Sequence, residues 1–331
     1  MRDFSYFRAS SVDEARNAVL QAGGALLAGG TTLLDLAKCG VAEPATVVDI
    51  THLSGLGEIN VDASSAVIGA LARMGDVADH TQIRAAFPAV AESLSLAASA
   101  QLRNMATIGG NLLQRTRCPY FRDPATFPAC NKRNPGSGCP AIGGVTRNHA
   151  VLGTSDACIA TYPGDLAVAL VAFDAFVDLG SRKVSVDDFF LLPGDTPDRE
   201  TVLGRGEMIV GIGIPASAAA RNSTYLKVRD RQSYEFAAAS AAVGVELEAD
   251  GKTVRDIRVA LGGVATKPWR ARAVEQALIG KALDVETVER ASGLAMEGAV
   301  SHGGNRYKIE LAPRVVARAI LKMAQNVGGL A

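Results

Sequence analysis

Short apolar runs separated by glycine turns fill the first third of the chain, and their pattern predicts the elements. Residues 4–8 (FSYFR) read as a short strand. A helix begins at Ser10 or Ser11, which can cap it, and Asp13 and Glu14 suit its positive N-terminus. Gly23 and Gly24 end that helix. Residues 25–28 form a short buried strand that runs into Gly29-Gly30-Thr31-Thr32 and then a helix over 33–38. Two further buried strands fall at 47–50 and 67–70, Met74 opens a helix, and 89–100 is an Ala/Leu/Ser helix. It leads to a second glycine loop, 106–114 (ATIGGNLLQ).

After Asp165 the apolar pattern resumes with a helix over 166–172 and strands over 175–179 and 183–186. Asp187–190 and Pro193-Gly194 mark a break, 207–215 is a strand, and 216–223 (ASAAARNS) reads as a linker. The remainder alternates like a strand over 223–231, followed by a long strand over 236–249 and another over 254–261. Helices are predicted at 271–278, 284–296 and 312–325, the last with Arg314, Arg318 and Lys322 on one face. This C-terminal part is α+β, an antiparallel sheet with helices on one face.

Between the second glycine loop and Asp165, residues 115–161 change character, being rich in Pro, Gly, Asn and Arg. Four of the five cysteines lie here, Cys118, Cys130, Cys139 and Cys158, spaced C-x11-C-x8-C-x18-C. A loop of this length needs something to pin it, and four thiolates on a metal centre would do so. The spacing lacks the paired C-x2-C knuckles of a zinc ribbon and is more typical of a [4Fe–4S] site. Structural zinc and four unrelated buried cysteines are the other readings. Arg115, Arg117, Arg122, Lys132, Arg133 and Arg147 face only Asp123 over 115–149. They could offset a cluster's negative charge or form a docking face. Cys39 stands apart and reads as a small buried residue.

Other signals are bounded by composition. With 331 residues, two or three domains are expected, and 48% hydrophobic with 21% charged residues suits a globular chain with a large core. Net charge is zero, which argues against nucleic acid as a partner. No apolar run is long enough for a membrane span. The opening MRDFSYFRAS has no apolar h-region, so no export signal is expected in the chain. An odd cysteine count with four clustered favours a ligand set over a disulfide scaffold. His52, His80, His149 and His302 sit in no nucleophile or metalloprotease motif, so no catalytic residue is assigned and any chemistry belongs to a cofactor. Strand, glycine turn and helix start at 25–33 is an arrangement that binds a diphosphate, but no G-x-G-x-x-G or P-loop is present.

The segments LLAGGTTLLDLAK, QLRNMATIGGNL, YPGDLA and LKVRDR resemble the FAD-binding subunits of the xanthine dehydrogenase group of molybdenum hydroxylases. RTRCPYF, CNKRNPGSGC and SDACIATYPGD narrow the resemblance to the FAD and [4Fe–4S] subunits of bacterial periplasmic aldehyde oxidoreductases. The resemblance implies an α+β chain: a two-subdomain FAD-binding fold of the vanillyl-alcohol-oxidase or PCMH type, plus an α+β flavoprotein C-terminal domain. The implied divisions are 1–58 and 59–216, with the iron–sulfur insert at about 115–161, and 223–331. It also implies that Leu26, Ala28, Gly29, Gly30, Thr31, Thr32 and Leu33 hold the FAD pyrophosphate from one side. Ala106, Thr107, Gly110, Asn111 and Leu113 would hold it from the other. Asp165 would contact the flavin nucleotide, with Ile209 near the ring system and Lys227 near the isoalloxazine. Cys118, Cys130, Cys139 and Cys158 would ligate the cluster. Gly164 stands where the family usually has Ser. Cys118 and Cys158 lie seven residues from Asn111 and Asp165, so the cluster falls within roughly 25 Å of the FAD contacts.

The expected function is electron transfer from partner iron–sulfur centres through FAD to an external acceptor. The partners would be a large molybdenum-cofactor subunit that oxidises aldehydes and a small [2Fe–2S] subunit. The chain alone is not expected to oxidise aldehyde. The expected compartment is the periplasm, by co-export with a signal-bearing partner, with the cytoplasm as the alternative. A zinc-stabilised docking subunit and a stand-alone flavin oxidoreductase are the rival readings.

Overall fold

The computed structural model describes residues 1–326. Its strands are β1 (Ser5–Arg8), β2 (Ala25–Leu27), β3 (Thr46–Asp49), β4 (Ile59–Val61), β5 (Ser65–Gly69), β6 (Phe176–Asp178), β7 (Lys183–Ser185), β8 (Gly211–Pro215), β9 (Ser223–Val228), β10 (Ala239–Leu247), β11 (Val254–Gly262) and β12 (Trp269–Arg270). They make three sheets. The first has the order β1-β3-β2 and is parallel. The second, β4-β5-β8-β6-β7, is antiparallel, as is the third, β12-β11-β10-β9.

Local chemistry explains these elements. Helix Val12–Ala22 opens with Ser11 Oγ accepting from the Glu14 amide at 3.1 Å, while the Glu14 carboxylate accepts from the Ser10 amide at 2.6 Å. These reciprocal contacts satisfy amides at the helix start, and Gly23, at φ 59°, ends it in the left-handed region. Central strand β3 has a neighbour on either side, so Val47 and Val48 are both buried. Helix Leu166–Ala172 carries no polar residue because every side is covered. It packs on β10, β11 and helix Pro88–Ser95, and shares one apolar core with Ile68 and Ile212 of the second sheet and Ala242 and Ala260 of the third.

Several elements differ from expectation. The 89–100 helix is two pieces, Pro88–Ser95 and Ala100–Arg103, because Ala98 adopts φ 48° and Ser99 caps a fresh start. The 216–223 linker contains a turn of helix, Ala218–Arg221, capped by Ser217. The expected break at 187–190 is largely helix Val186–Phe189, capped by Ser185. Strand 207–215 is shorter, β8 starting only at Gly211. The final helix begins earlier, at Tyr307, and accommodates Pro313 internally. The expected extent of the last domain past residue 326 lies outside the described residues.

The insert is fastened to the C-terminal sheet. The Val151 amide donates to the Val264 carbonyl at 2.8 Å, the Asn305 side chain to the Ala150 carbonyl at 2.8 Å, and the Val300 amide to the Val151 carbonyl at 2.7 Å. Val151 and Leu152 lie in the same apolar core as β10 and β11. The two glycine loops also touch. A Cβ at Gly29 would stand 2.0 Å from the Met105 carbonyl oxygen and 3.1 Å from Ala106 Cα.

Two stability predictions follow from this packing. Gly29→Ala should lower stability by about 1–3 kcal/mol, because backbone must move to admit the methyl. Gly57→Ala, which meets nothing within 4 Å, should not; equal melting behaviour of the two variants would contradict the close approach. Lys308 is buried, and its ammonium donates to the Gly263 carbonyl at 2.6 Å. Burial lowers its pKa from 10.5 to about 8. Between those values the unfolded chain binds the extra proton, so the Lys308 penalty, about 3 kcal/mol below pH 8, is relieved as pH rises toward 10.5. The stability of wild type relative to Lys308→Met should therefore rise across that window in chemical denaturation; a flat difference would refute it.

Candidate functional site

Between the glycine loops lies a cavity of about 480 Å³. One wall is Thr31, Thr32 and Asp35, from the turn after β2 and the helix Leu33–Lys38. The facing wall is Ala106, Gly110 and Asn111, with Pro163 and Asp165 at the base. The loop between β9 and β10 closes it with Arg231, Tyr234, Glu235 and Phe236. Arg117 and Arg122 enter from the cysteine insert.

The first loop leaves backbone donors unused. Gly30 sits at φ 72°, which favours glycine. The amides of Gly29 through Leu33 meet no acceptor among the described residues. In the second loop Thr107 caps the helix Ile108–Leu112, its hydroxyl accepting from the Gly110 amide at 3.4 Å. Gly109 packs on Ala70, where a Cβ would come within 3.0 Å of another Cβ. Asn111 Nδ2 points to Met74 Sδ at 3.3 Å, and its Oδ1 is buried without a partner among the described residues. Free amides on one wall and an unpaired amide carbonyl on the other fit an extended dinucleotide.

At the base, Asp165 is buried and receives two contacts from β9. Lys227 Nζ lies 2.7 Å from Oδ2, and the Tyr225 hydroxyl donates to Oδ1 at 2.7 Å. Lys227 also donates to the Leu96 carbonyl at 3.1 Å, and Tyr225 bonds Ser240 at 2.8 Å. Burial pushes the Asp165 carboxyl up, against the opposing pull of Lys227 and Tyr225.

Thr31, Thr32, Ala106, Gly110, Asn111 and Asp165 therefore line one cavity. Other residues expected at the cofactor are set back from it. Gly29 and Gly30 shape the first loop, Leu26 and Ala28 pack into the core beneath the first sheet, and Thr107 acts through its cap. Leu33 opens the helix of that wall but is not among the lining residues. Leu113 lies in a neighbouring cleft beside Arg115 and Thr161, Ile209 is in the core, and Lys227 stands behind Asp165. Sequence reading assigned no role to Asp35, although it lies within LLAGGTTLLDLAK, or to Tyr234 and Phe236, which lie in no motif.

Two of the four insert cysteines, Cys130 and Cys158, are buried, and Cys118 and Cys139 are half-buried. Cys118 packs with Cys130 against Phe121 and Leu36, and on its other side with Cys139 around Tyr120 and Ile159. The sulfurs are near enough to oppose one another's ionisation. Burial pushes the Cys118 thiol up to about 12 and raises that of Cys158. Amides of Tyr120 and Phe121 point at the Cys118 sulfur, and the Ala160 amide lies 3.5 Å from Cys158 Sγ. His149 Nε2 lies 3.2 Å from Cys118 Sγ; burial lowers the His149 pKa to about 4, leaving it neutral. Among the described residues, no three His, Cys, Asp or Glu side chains are drawn together closely enough to hold one metal ion. Cys39 is half-buried rather than buried and lies 3.8 Å from Arg122 Nη2.

The insert's basic residues do not form an open basic face. Lys132 pairs with Glu200 at 3.0 Å and Arg115 contacts the same carboxylate; Arg147 pairs with Asp230 at 3.0 Å. Arg117 and Arg122 share Asp35, and Arg133 donates to the Tyr120 and Phe127 carbonyls.

The family described as the FAD binding domain in molybdopterin dehydrogenase matches residues 2–217, and the CO dehydrogenase flavoprotein C-terminal domain matches 224–323. The chain is 43% identical over 327 residues to the aldehyde oxidoreductase FAD-binding subunit PaoB of Escherichia coli K12, covering 97% of this chain and 98% of that one. It is 30% identical to the carbon monoxide dehydrogenase medium chain of Hydrogenophaga pseudoflava, with 96% of each covered. A solved structure of carbon monoxide dehydrogenase from the same organism superposes with a TM-score of 0.75 at 29% identity, covering 98% of both chains. No helix among the described residues is long and apolar enough to cross a membrane. The chain belongs to the molybdenum hydroxylase family as an FAD-binding subunit, with a PCMH-type FAD-binding fold followed by a flavoprotein C-terminal domain.

Proposed function

We propose that this chain is the electron-transfer subunit of a molybdenum-dependent aldehyde oxidoreductase complex and that it carries FAD together with one [4Fe–4S] centre. It receives electrons from a small [2Fe–2S] partner, which a large molybdenum-cofactor partner has supplied by oxidising an aldehyde, and delivers them to an external acceptor. The observation that carries this reading is the gathering of Cys118, Cys130, Cys139 and Cys158 in the insert whose Arg117 and Arg122 line the cavity between the glycine loops. The 43% identity to an aldehyde oxidoreductase FAD-binding subunit supports the substrate class.

FAD, when bound, supplies reversible electron storage, and the iron–sulfur centre supplies single-electron exchange. The chain's residues do the rest. The amides of Gly29 to Leu33 offer donors to phosphate oxygens, and Asn111 offers its free carbonyl. Asp165, fixed by Lys227 and Tyr225, offers an oriented carboxylate. The β9–β10 loop lines the cavity with Tyr234 and Phe236.

Four loop-borne cysteines without paired C-x2-C knuckles suit a cluster better than a single zinc ion. Zinc draws four thiolates into one tight tetrahedron, whereas a cubane places each thiolate on its own iron at a separate corner. Amide donors at Cys118 and Cys158 are of the kind that tune iron–sulfur sulfurs. A metal centre would also reverse the present preference for neutral thiols by holding thiolates. The complex works in the periplasm, reached by co-export with a signal-bearing partner; cell fractionation that finds it only in the cytoplasm would overturn that placement.

Cys139→Ser in the assembled complex should lose about four iron atoms per chain. Cys39→Ser should retain them. Full iron in the Cys139 variant would contradict the ligand assignment.

A further inference from the structure

Arg117 and Arg122 bracket Cys118, one directly before it and the other at the end of helix Pro119–Arg122. Both side chains leave the insert and line the cavity between the glycine loops. There they converge on a single carboxylate oxygen. Arg117 Nη1 lies 3.0 Å from Asp35 Oδ2, and Arg122 Nη2 contacts the same atom more closely.

The charges in this cavity do not balance locally. Asp165 is matched by Lys227 at 2.7 Å, and Glu235 by Arg231 at 3.4 Å. That leaves two guanidiniums on Asp35, an excess of one positive charge. Nor is their donor capacity used up. Arg117 Nε and Arg122 Nη1 are buried and have no partner among the described residues. Arg117 stacks over the Phe236 ring at 5.1 Å, which holds the guanidinium in place without satisfying that N–H. Two like charges converging on one carboxylate at the cavity wall make a site suited to a second anion, and a planar guanidinium matches phosphate oxygens in pairs.

We propose that Arg117 and Arg122 are the cysteine insert's contribution to the FAD site, donating to the phosphate oxygens of the dinucleotide opposite the glycine-loop amides. This rests on the cavity being the FAD site. Because both arginines are anchored next to Cys118, whatever fixes that cysteine also fixes the phosphate donors. Loss of the cysteine centre would then loosen FAD without any change in the glycine loops.

The test is FAD affinity in the purified holoprotein, read by flavin content and by flavin fluorescence as FAD is removed and titrated back, with iron per chain measured alongside. Arg117→Gln and Arg122→Gln should each retain iron and weaken FAD binding by roughly tenfold to a hundredfold, the loss expected for a charge-assisted hydrogen bond. Arg147→Gln, whose guanidinium pairs with Asp230 instead, should bind FAD as wild type does. Asp35→Asn supplies the sign test. Removing the competing carboxylate should tighten FAD if the arginines serve phosphate. If the Arg–Asp35 bridges merely brace the loop, Asp35→Asn should weaken FAD as much as the arginine variants do, and that result overturns the proposal even if a glutamine variant fails to fold. Wild-type affinity in both glutamine variants with iron retained also overturns it. Wild-type FAD affinity in both Asn111→Ala and Gly30→Val would instead sink the cavity assignment itself.

Discussion

The buried ion pair between Asp165 and Lys227 is the constraint on which the site depends. Asp165 lies at the end of the cysteine insert and directly before the wholly buried helix Leu166–Ala172. Lys227 lies on β9, where the two-residue period of a strand puts Tyr225 on the same face to bond the same carboxylate. Lys227 also reaches the Leu96 carbonyl. One lysine thus ties the end of the insert, the segment leading to the second glycine loop and the C-terminal sheet. Such a pair adds little net stability over an apolar substitute, but leaving either partner alone in the interior costs about 3–5 kcal/mol. Its effect is to fix where the carboxylate points.

A second constraint is the close approach of the glycine loops. Gly29 leaves no room for a side chain against Met105, so the first and second halves of the FAD-binding region are set at backbone contact distance. The insert then adds a third wall. It is held by backbone bonds to the C-terminal sheet at Val264 and by paired arginines at Asp35 and Glu200. A smaller cleft lined by Cys118 and His149 shares Arg117, Pro163, Glu235 and Phe236 with the larger cavity, so Cys118 lies next to it.

What could be read along the chain was what is local. The glycine loops, the cysteine spacing and the Asp after YPG are contiguous patterns, and the loops do line one cavity. The partners of Arg117, Arg122 and Lys227 could not be read, because Asp35, Leu96 and Asp165 lie far away in sequence and join them only through the sheet order. The insert's arginines looked like an open basic face for the same reason: their counter-charges, Asp35, Glu200 and Asp230, lie outside the insert. The 89–100 helix was drawn too long because its break comes from a left-handed Ala98, an L-residue conformation with no composition signal. Helix Ala218–Arg221 hides in a segment whose Ser217 cap also reads as linker.

The most direct measurement is iron, acid-labile sulfide and zinc per flavin in protein purified without oxygen. Joint occupancy by FAD and a cubane centre predicts about four iron and four sulfide per FAD with no stoichiometric zinc. One zinc per flavin without sulfide would leave the FAD fold intact but contradict the electron-transfer role assigned to the cysteine insert.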